Sequence, residues 1–272
     1  MSENVEHVLT AWSLAPSIWL GMALLVGGYL AASGPWRWRF KDSQPVTRGR
    51  TISFLAGAFA MWFALVSPLD KISDEYLFSA HMVQHLLLTL VAPPLLLIGT
   101  PGWMLTPFLR YLGVKRLARF FTMPLIAFAV FNLSFLIWHV PALYQATLEN
   151  EAIHIAEHLM FIGTAMLNWW PILSPTKELP RLPYPGQILY LFLDAIPSTV
   201  LGAILVFAPD VLYPAYNAAP RIFGISALDD QLVSGLIMAM PGGMTYLIAL
   251  TIVFFVWIGR EERAERNNAA AI

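Results

Sequence analysis

The sequence His81-Met82-Val83-Gln84-His85 places two histidines one helical turn apart, at the start of the apolar run Leu86-Leu87-Leu88-Thr89-Leu90-Val91-Ala92. Positions i and i+4 of a helix share a face, with Cβ atoms about 5–6 Å apart, so both imidazoles can bind one ion. The spacing recurs in His154-Ile155-Ala156-Glu157-His158, and His139 stands alone between the pairs. Five of the six histidines therefore have the composition of a metal site, if the fold brings them together.

The composition is that of an integral membrane protein. Hydrophobic residues make up 58% of the 272 residues and charged residues only 12%, which is too little polar surface for a soluble globule of this length. The N-terminus has no basic segment before its first apolar run, so we expect that run to be a retained helix and not a cleaved signal. The chain has no cysteine, which leaves histidine, methionine and carboxylate as metal ligands.

The apolar runs predict an all-α bundle of seven transmembrane helices that forms a single domain over residues 1–272. Each run is long enough to cross a hydrocarbon layer of about 30 Å, and the connections between them are short. The predicted spans are about 16–33, 50–67, 78–99, 121–140, 151–173, 186–208 and 229–258.

The distribution of basic residues predicts the orientation of the bundle. Of the 16 Lys and Arg residues, all except Lys71 and Arg221 fall in the first, third and fifth loops or in the C-terminal tail. Basic residues mark the cytoplasmic face of a membrane protein. We therefore expect the N-terminus outside and the C-terminus in the cytoplasm.

This orientation predicts that the five histidines lie at one depth. The third span runs inward, so His81 and His85 are expected roughly 5 and 10 Å below its outer end. His154 and His158 have matching depths in the fifth span, and His139 ends the fourth span just before Pro141. All five imidazoles are thus expected at the outer end, shielded by the loops around residues 70 and 145.

Three further features have a weaker meaning. Met82 is turned about 100° from His81 on a helix, so we expect it to face lipid and not to be a ligand. Asp194 is an acid within the sixth span, where a hydrogen bond to Asn168 is as good an explanation as a functional role. Three methionines either fill gaps or form a thioether ladder for a soft cation: Met238, Met240 and Met244.

The residues alone leave several alternatives to a copper site. Imidazole suits zinc, copper, iron and nickel, and the lack of cysteine together with methionine beside histidine favours copper. A zinc hydrolase would use Glu157 as its general base. A b-type haem would be held by two of the histidines as axial ligands. A di-iron site would need further carboxylate ligands in addition to Glu151. A polar plug without metal would pair the imidazoles with nearby polar groups, namely Gln84, Glu157, Thr147 and Tyr144.

Several blocks of the chain, in order between residues 66 and 240, resemble the CtaG family of bacterial cytochrome c oxidase assembly factors. The blocks are VSPLD (66–70), LFSAHMVQHLLL (77–88), APPLLLIGTP (92–101), WHVPALY (138–144), HIAEH (154–158), WWPIL (169–173) and DDQLVSGLIM (229–238). The resemblance implies a seven-span membrane protein that helps to mature a haem-copper oxidase by delivering copper. It implies a chaperone of the respiratory chain and not an enzyme.

The expected metal ligands are His81, His85, His139, His154 and His158, holding copper on the extracytoplasmic side. Five imidazoles exceed what a two- to four-coordinate ion needs, which suits transfer of the ion. The expected partners are a haem-copper oxidase subunit, a separate copper donor protein and the lipid bilayer, with no nucleic acid. Because the sequence shows no appended copper-resistance domain, we expect these proteins to be separate chains.

Overall fold

The computed structural model describes residues 2–270, which are mostly helical and contain no strand. Fifteen α-helices follow one another in this range: α1 (Ser2–Leu9), α2 (Pro16–Ser33), α3 (Arg48–Val66), α4 (Pro68–Glu75), α5 (Phe78–Leu86), α6 (Ala92–Gly99), α7 (Gly102–Leu109), α8 (Leu112–Phe121), α9 (Pro124–Trp138), α10 (Pro141–Glu149), α11 (Glu151–Leu173), α12 (Tyr184–Phe207), α13 (Pro214–Ala218), α14 (Ala227–Ile237) and α15 (Gly243–Ala270). A short 3-10 turn spans Arg37–Arg39. π-Helical turns at Leu87–Val91 and Met238–Gly242 join α5 to α6 and α14 to α15.

Five helical stretches within the described residues have the length and apolar character to cross a membrane. They are Pro16–Ser33, Arg48–Val66, Phe78–Gly99, Tyr184–Phe207 and Ala227–Ala270. A sixth candidate is the pair α8 and α9, which are bent by 69° relative to each other. The protein is therefore an all-helical chain with five to six candidate membrane spans.

The predicted fourth span differs from the helix that the structure shows. Instead of one helix over about 121–140, α9 covers only Pro124–Trp138, and α8 turns away from it. A 15-residue helix is about 22 Å long, which is short for a hydrocarbon layer of about 30 Å. The break occurs where Pro124 begins α9 at its first turn, a position that proline favours.

α11 coincides with the predicted fifth span and carries the second histidine pair. Its 23 residues give a length of about 35 Å, enough to cross a bilayer. Asn150 begins the helix, because its side-chain oxygen accepts hydrogen bonds from the amides of Ala152 and Ile153 at 2.9 and 3.3 Å. This cap fixes where the first turn starts, and hence where His154 and His158 point.

α5 begins with a cap that comes from a distant helix. The carboxylate of Asp230, on α14, accepts hydrogen bonds from the amides of Phe78 at 2.7 Å and Ser79 at 3.1 Å. These amides have no partner within α5 itself, and a carboxylate also complements the positive end of the helix dipole. Asp230 is 1% exposed, so it fixes the start of the helix that carries His81 and His85.

Two glycines allow α14 to approach α12 closely. A Cβ atom built on Gly202 would lie 2.6 Å from the carbonyl oxygen of Gly235, and the reverse distance is also 2.6 Å. Small residues at such a crossing let two helix backbones touch, as is common in membrane bundles. The close crossing helps to hold α14 where Asp230 can reach α5.

The buried core next to the histidines is aromatic. Phe78, Tyr144, Tyr213 and Tyr216 pack together with Leu205 and other apolar side chains. Met82 also belongs to this cluster and is only 1% exposed. The expectation that it faces lipid was wrong, because side chains of α10, α12 and α13 belong to the same buried cluster.

Candidate metal centre

The structure brings the histidines of α5 and α11 together in one buried cluster. The ring centroids of His81 and His85 are 4.1 Å apart, and those of His154 and His158 are 4.3 Å apart. Between the helices, the His81 ring lies 6.3 Å from that of His154 and 6.5 Å from that of His158. The two pairs, 73 positions apart in sequence, therefore lie next to each other across the space between α5 and α11.

His139 lies at the edge of this cluster. Its ring centroid is 6.0 Å from that of His85. Its Nδ1 donates a hydrogen bond of 2.7 Å to the carbonyl of Phe135, one turn earlier on α9, which leaves Nε2 as the nitrogen with a lone pair. The sixth histidine, His7, is exposed on α1 and takes no part in the cluster.

Nine buried polar atoms of the cluster have no hydrogen-bond partner among the described residues. They are both ring nitrogens of His81 and His85, Nε2 of His139, His154 and His158, and both carboxylate oxygens of Glu157. A buried polar atom without a partner costs about 1–3 kcal/mol, so folded proteins rarely collect so many in one place. The donor set fits a cation, which would satisfy several of these atoms at once.

Glu157 lies at the centre of the possible ligand sets. One set contains His81, His85 and Glu157, a second contains His154, Glu157 and His158, and within each set the candidate ligand atoms lie within 4.8 Å of one another. Ligand atoms around a tetrahedral ion with bonds of about 2.0–2.1 Å are roughly 3.4 Å apart, so small side-chain rotations suffice.

The sequence prediction missed the place of Glu157. It treated this residue as a general base or a hydrogen-bond partner, whereas the structure places it in both ligand sets. Its position three residues after His154 puts the two on one helix face. That spacing is the signal that could have marked it as a candidate ligand. Its Oε1 lies 3.8 Å from Nε2 of His85.

Asp74, on α4, connects the cluster to the surface. Its carboxylate lies 3.9 Å from Nδ1 of His81 and 3.5 Å from Nδ1 of His154, and its side chain is 28% exposed.

Burial is the main factor that raises the pKa of Asp74 to about 7, with a contribution from the charge of Glu75. Burial, with the nearby charge of Asp74, also raises the pKa of Asp70 to about 7. Both carboxyls gain negative charge as pH rises through 7, which strengthens their attraction for a cation.

A chain of hydroxyl groups closes the end of the bundle above the histidines. The hydroxyls of Tyr144 and Tyr216 are 2.9 Å apart, and Tyr216 donates to the carbonyl of Ser73 at 2.6 Å. Tyr213 donates to the carbonyl of His139 at 2.9 Å. We call Tyr144, Tyr213 and Tyr216 the tyrosine roof, since they tie α10 and α13 to α4 and to the end of α9.

The geometry fits a polar plug poorly. Gln84 bonds to Ser73, to the carbonyl of Ala64 and to Asp70. Thr147 donates to the carbonyl of Tyr144, and the Tyr144 hydroxyl pairs with that of Tyr216. None of these three groups pairs with an imidazole in the described part of the chain. Of the four proposed plug partners, this leaves Glu157, whose carboxylate lies 3.8 Å from His85.

Haem and hydrolytic alternatives also meet obstacles. Aromatic rings crowd the imidazoles, with Phe161 at 4.6 Å from His85, Phe135 at 4.5 Å from His139 and Tyr144 at 5.1 Å from His81. These rings pack beside the imidazoles, where the face of a haem bound to them would have to lie. Glu157 has an exposed fraction of 0%, and a general base needs a substrate or water within reach.

Two other features lie apart from the cluster. The carboxylate of Asp194 accepts hydrogen bonds from Asn132 at 3.0 Å and Asn168 at 2.8 Å, which confirms the predicted Asp194–Asn168 bond.

The three methionines of the last span differ in exposure. Met238 is 2% exposed, but Met240 and Met244 are 59% and 56% exposed. Met238 therefore lies in the core, whereas Met240 and Met244 lie on the exposed surface, so the three do not share one buried environment.

Comparison with known proteins identifies relatives in mycobacteria. The chain is 30% identical to an uncharacterised protein of Mycobacterium bovis and to one of Mycobacterium tuberculosis, each over 98% of this chain and 42% of the relative. An uncharacterised protein of Mycobacterium leprae is 23% identical over 96% of this chain and 41% of its own length. The chain thus spans less than half the length of these relatives. No solved structure matches it.

The family comparison covers most of the chain, including every residue of the histidine cluster. The matching family is described as cytochrome c oxidase caa3 assembly factor (Caa3_CtaG), and the match extends over residues 27–260. It begins within α2 and ends within α15, so all of the helices that hold the histidines lie inside it. The chain belongs to the Caa3_CtaG family of cytochrome c oxidase assembly factors.

Proposed function

We propose that this protein binds copper at the histidine cluster and delivers it to a copper-containing subunit of a haem-copper oxidase. The observation that carries the proposal is the set of nine unpartnered atoms around Glu157. Membership of an oxidase assembly family supplies the context, because such oxidases need copper to mature. The proposed ligands are His81, His85, His139, His154 and His158, together with Glu157.

The arrangement suits transfer better than storage. Two ligand sets share Glu157, so an ion can move from one set to the other by exchanging two imidazoles while one ligand stays bound. More donors are present than a two- to four-coordinate copper ion uses, and spare donors lower the barrier to exchange. The neutral imidazoles leave the carboxylate as the ligand that balances the charge of the cation.

The proposed topology has seven spans in one domain, with α11 as an additional span and α9 as the fourth. The N-terminus is outside, and the histidine cluster faces the extracytoplasmic side of the bacterial inner membrane. The distribution of Lys and Arg supports this orientation. A donor protein and the oxidase subunit would then meet the protein from the same compartment.

Copper binding is tested by elemental analysis of the purified full-length chain. We expect about one copper per chain, and a clear loss in His81→Ala and His158→Ala. The matched control is His7→Ala, because His7 is exposed and lies outside the cluster. In cells, the first two variants should lower oxidase activity at unchanged abundance of the protein. A chain that carries zinc and hydrolyses a substrate through Glu157 would contradict the proposal.

The orientation is tested by labelling single cysteines, since the chain contains none. Glu149→Cys lies in the exposed end of α10, and Lys177→Cys lies in the exposed loop after α11. A maleimide that cannot cross membranes should label the first variant, but not the second, in intact cells. The opposite pattern would place the histidine cluster on the cytoplasmic side.

A further inference from the structure

A crevice of about 330 Å³ opens beside α4 at the histidine end of the bundle. Its walls include Trp12 and Ser13, which precede α2, and the side chains of Asp70, Asp74 and Glu75 from α4. A cation entering this crevice would meet three carboxyl groups. Lys71 is the basic residue among its lining side chains.

Asp74 is the lining residue that reaches the metal ligands. Its two oxygens approach both helices of the cluster, with His81 on α5 and His154 on α11. Exposure falls along this direction, from 28% for the Asp74 side chain to 16% for that of His154 and 0% for that of His81. The buried His81 ring has no hydrogen-bond partner in the range 2–270 and lies directly behind the carboxylate.

We propose that Asp74 is a transient ligand that passes metal cations between the crevice and the histidine cluster. The inference rests on the proposed metal-binding function of that cluster. A carboxylate holds copper-like ions less firmly than imidazole does, so an ion captured by Asp74 moves on to His154 and His81. Removing Asp74 slows loading and unloading alike, without changing the final ligands.

The test uses the purified full-length chain and Co²⁺, whose visible absorption reports binding to imidazole and carboxylate. In Asp74→Asn, loading by stopped flow and removal by a chelator should each be about ten-fold slower, with the dissociation constant within about two-fold of wild type. Glu75→Gln removes the same charge from the same crevice and touches no histidine, so it should change the rates by less than about two-fold. Asp74→Glu keeps the carboxylate and should restore most of the rate.

Each other outcome has a distinct meaning. Equal slowing in Asp74→Asn and Glu75→Gln would overturn the inference, because the crevice would then act only through its charge. A ten-fold weaker affinity with an unchanged loading rate would make Asp74 a resident ligand, which also overturns it. The proposed function fails separately if Co²⁺ loads through Asp74 but the oxidase matures normally in a His81→Ala strain. A wild-type chain that takes up no Co²⁺ overturns both.

A different observation concerns α8, which has a basic face on one side and an apolar face on the opposite side. On a helical projection at 100° per residue, Lys115, Arg116 and Arg119 lie within about 100° of one another, and Val114 and Leu117 lie on the other side. These two apolar side chains are 46% and 61% exposed, so the protein does not cover them. The three basic residues line one groove, and none forms a salt bridge within the described chain.

The bend places this helix across the end of the bundle. α8 turns by 69° from α9, and the 15 residues of α9 put about 22 Å between it and His139. A short helix with a basic face and an exposed apolar face at this position has the pattern of an interfacial helix. We propose that α8 lies in the membrane surface opposite the histidine cluster and binds the phosphate of an anionic phospholipid through Lys115, Arg116 and Arg119.

The test measures lipid binding to the purified full-length chain by native mass spectrometry and thermal shift. Wild type should retain phosphatidylglycerol and gain more thermal stability from it than from phosphatidylcholine. Each basic residue near an anionic surface contributes roughly five-fold in affinity, so the triple change to Gln at 115, 116 and 119 should weaken phosphatidylglycerol binding at least ten-fold. The matched control changes Arg260, Arg263 and Arg266 to Gln and should keep the preference. Retained preference in the α8 variant would refute the proposal, as would equal loss in both.

Discussion

Replacing Glu157 by glutamine should raise the stability of the metal-free protein and lower its affinity for metal. Both carboxylate oxygens are buried with no partner among residues 2–270, and each such atom costs about 1–3 kcal/mol. Glutamine keeps the shape, removes any negative charge and supplies an NH₂ group that can donate to an imidazole nitrogen, such as that of His85 at 3.8 Å. We expect a gain of about 1–3 kcal/mol, relative to wild type, which corresponds to a Tm increase of roughly 2–10 °C.

The opposite effect is expected for metal, because glutamine is a weaker ligand and Glu157 belongs to both ligand sets. Loss of a group that supports a metal site typically costs about 10–100-fold in affinity. The assay is thermal unfolding with and without one equivalent of copper, together with a competition titration. Glu151→Gln is the control, since Glu151 is exposed on the same helix. A metal-free Glu157→Gln protein that melts at or below the wild-type temperature would refute the reasoning.

Three further predictions follow from the helix contacts and ligand sets. Asp230→Ala removes two capping hydrogen bonds from α5 and should cost about 1–2 kcal/mol, seen as a lower Tm and lower metal content; an unchanged Tm would show that the cap is dispensable. Gly235→Ala forces a Cβ to within 2.6 Å of a carbonyl oxygen on α12 and should lower the free energy of unfolding by at least about 2 kcal/mol. The control is Gly163→Ala, where the added Cβ meets open space; it should leave the free energy of unfolding unchanged or raise it by up to about 1 kcal/mol. His139→Ala should weaken copper binding less than His81→Ala does, because His139 lies outside both ligand sets; equal losses in a competition titration would contradict this ranking.

Local sequence was enough to place most of the helices. The apolar runs at 16–33, 78–99 and 151–173 coincide with helical stretches of the same bounds, and the first and last of them begin at a strong local signal. Pro16 starts α2 and Asn150 caps α11. Such signals act within one turn of helix, so they can be read without knowing the neighbouring helices.

The parts that sequence did not predict depend on contacts between distant segments. Residues 110–119 were interpreted as a basic loop, although the alternation of basic and apolar residues has a helical period that could have revealed α8. The burial of Met82 depends on side chains of α10, α12 and α13 that lie far away in sequence, which no local pattern records. The cap from Asp230 joins positions 152 residues apart.

The candidate site was only partly predictable for the same reason. Spacing placed each histidine pair on one face, and the loop charges suggested a shared depth for all five. The distance between the pairs depends on how α5 packs against α11, which spacing does not determine. The contacts of Glu157 and Asp74 with imidazoles became visible only in three dimensions.

The tyrosine roof has a consequence for the order in which proteins meet this chain. Hydroxyl bonds tie α10 and α13 over the cluster, whereas the opening beside α4 reaches Asp74 directly. If copper passes through this crevice in both directions, as proposed, the donor and the recipient would contact the same small surface. The two partner proteins would then bind one after the other and never together. Each would have to recognise the acidic residues of the crevice, Asp70, Asp74 and Glu75.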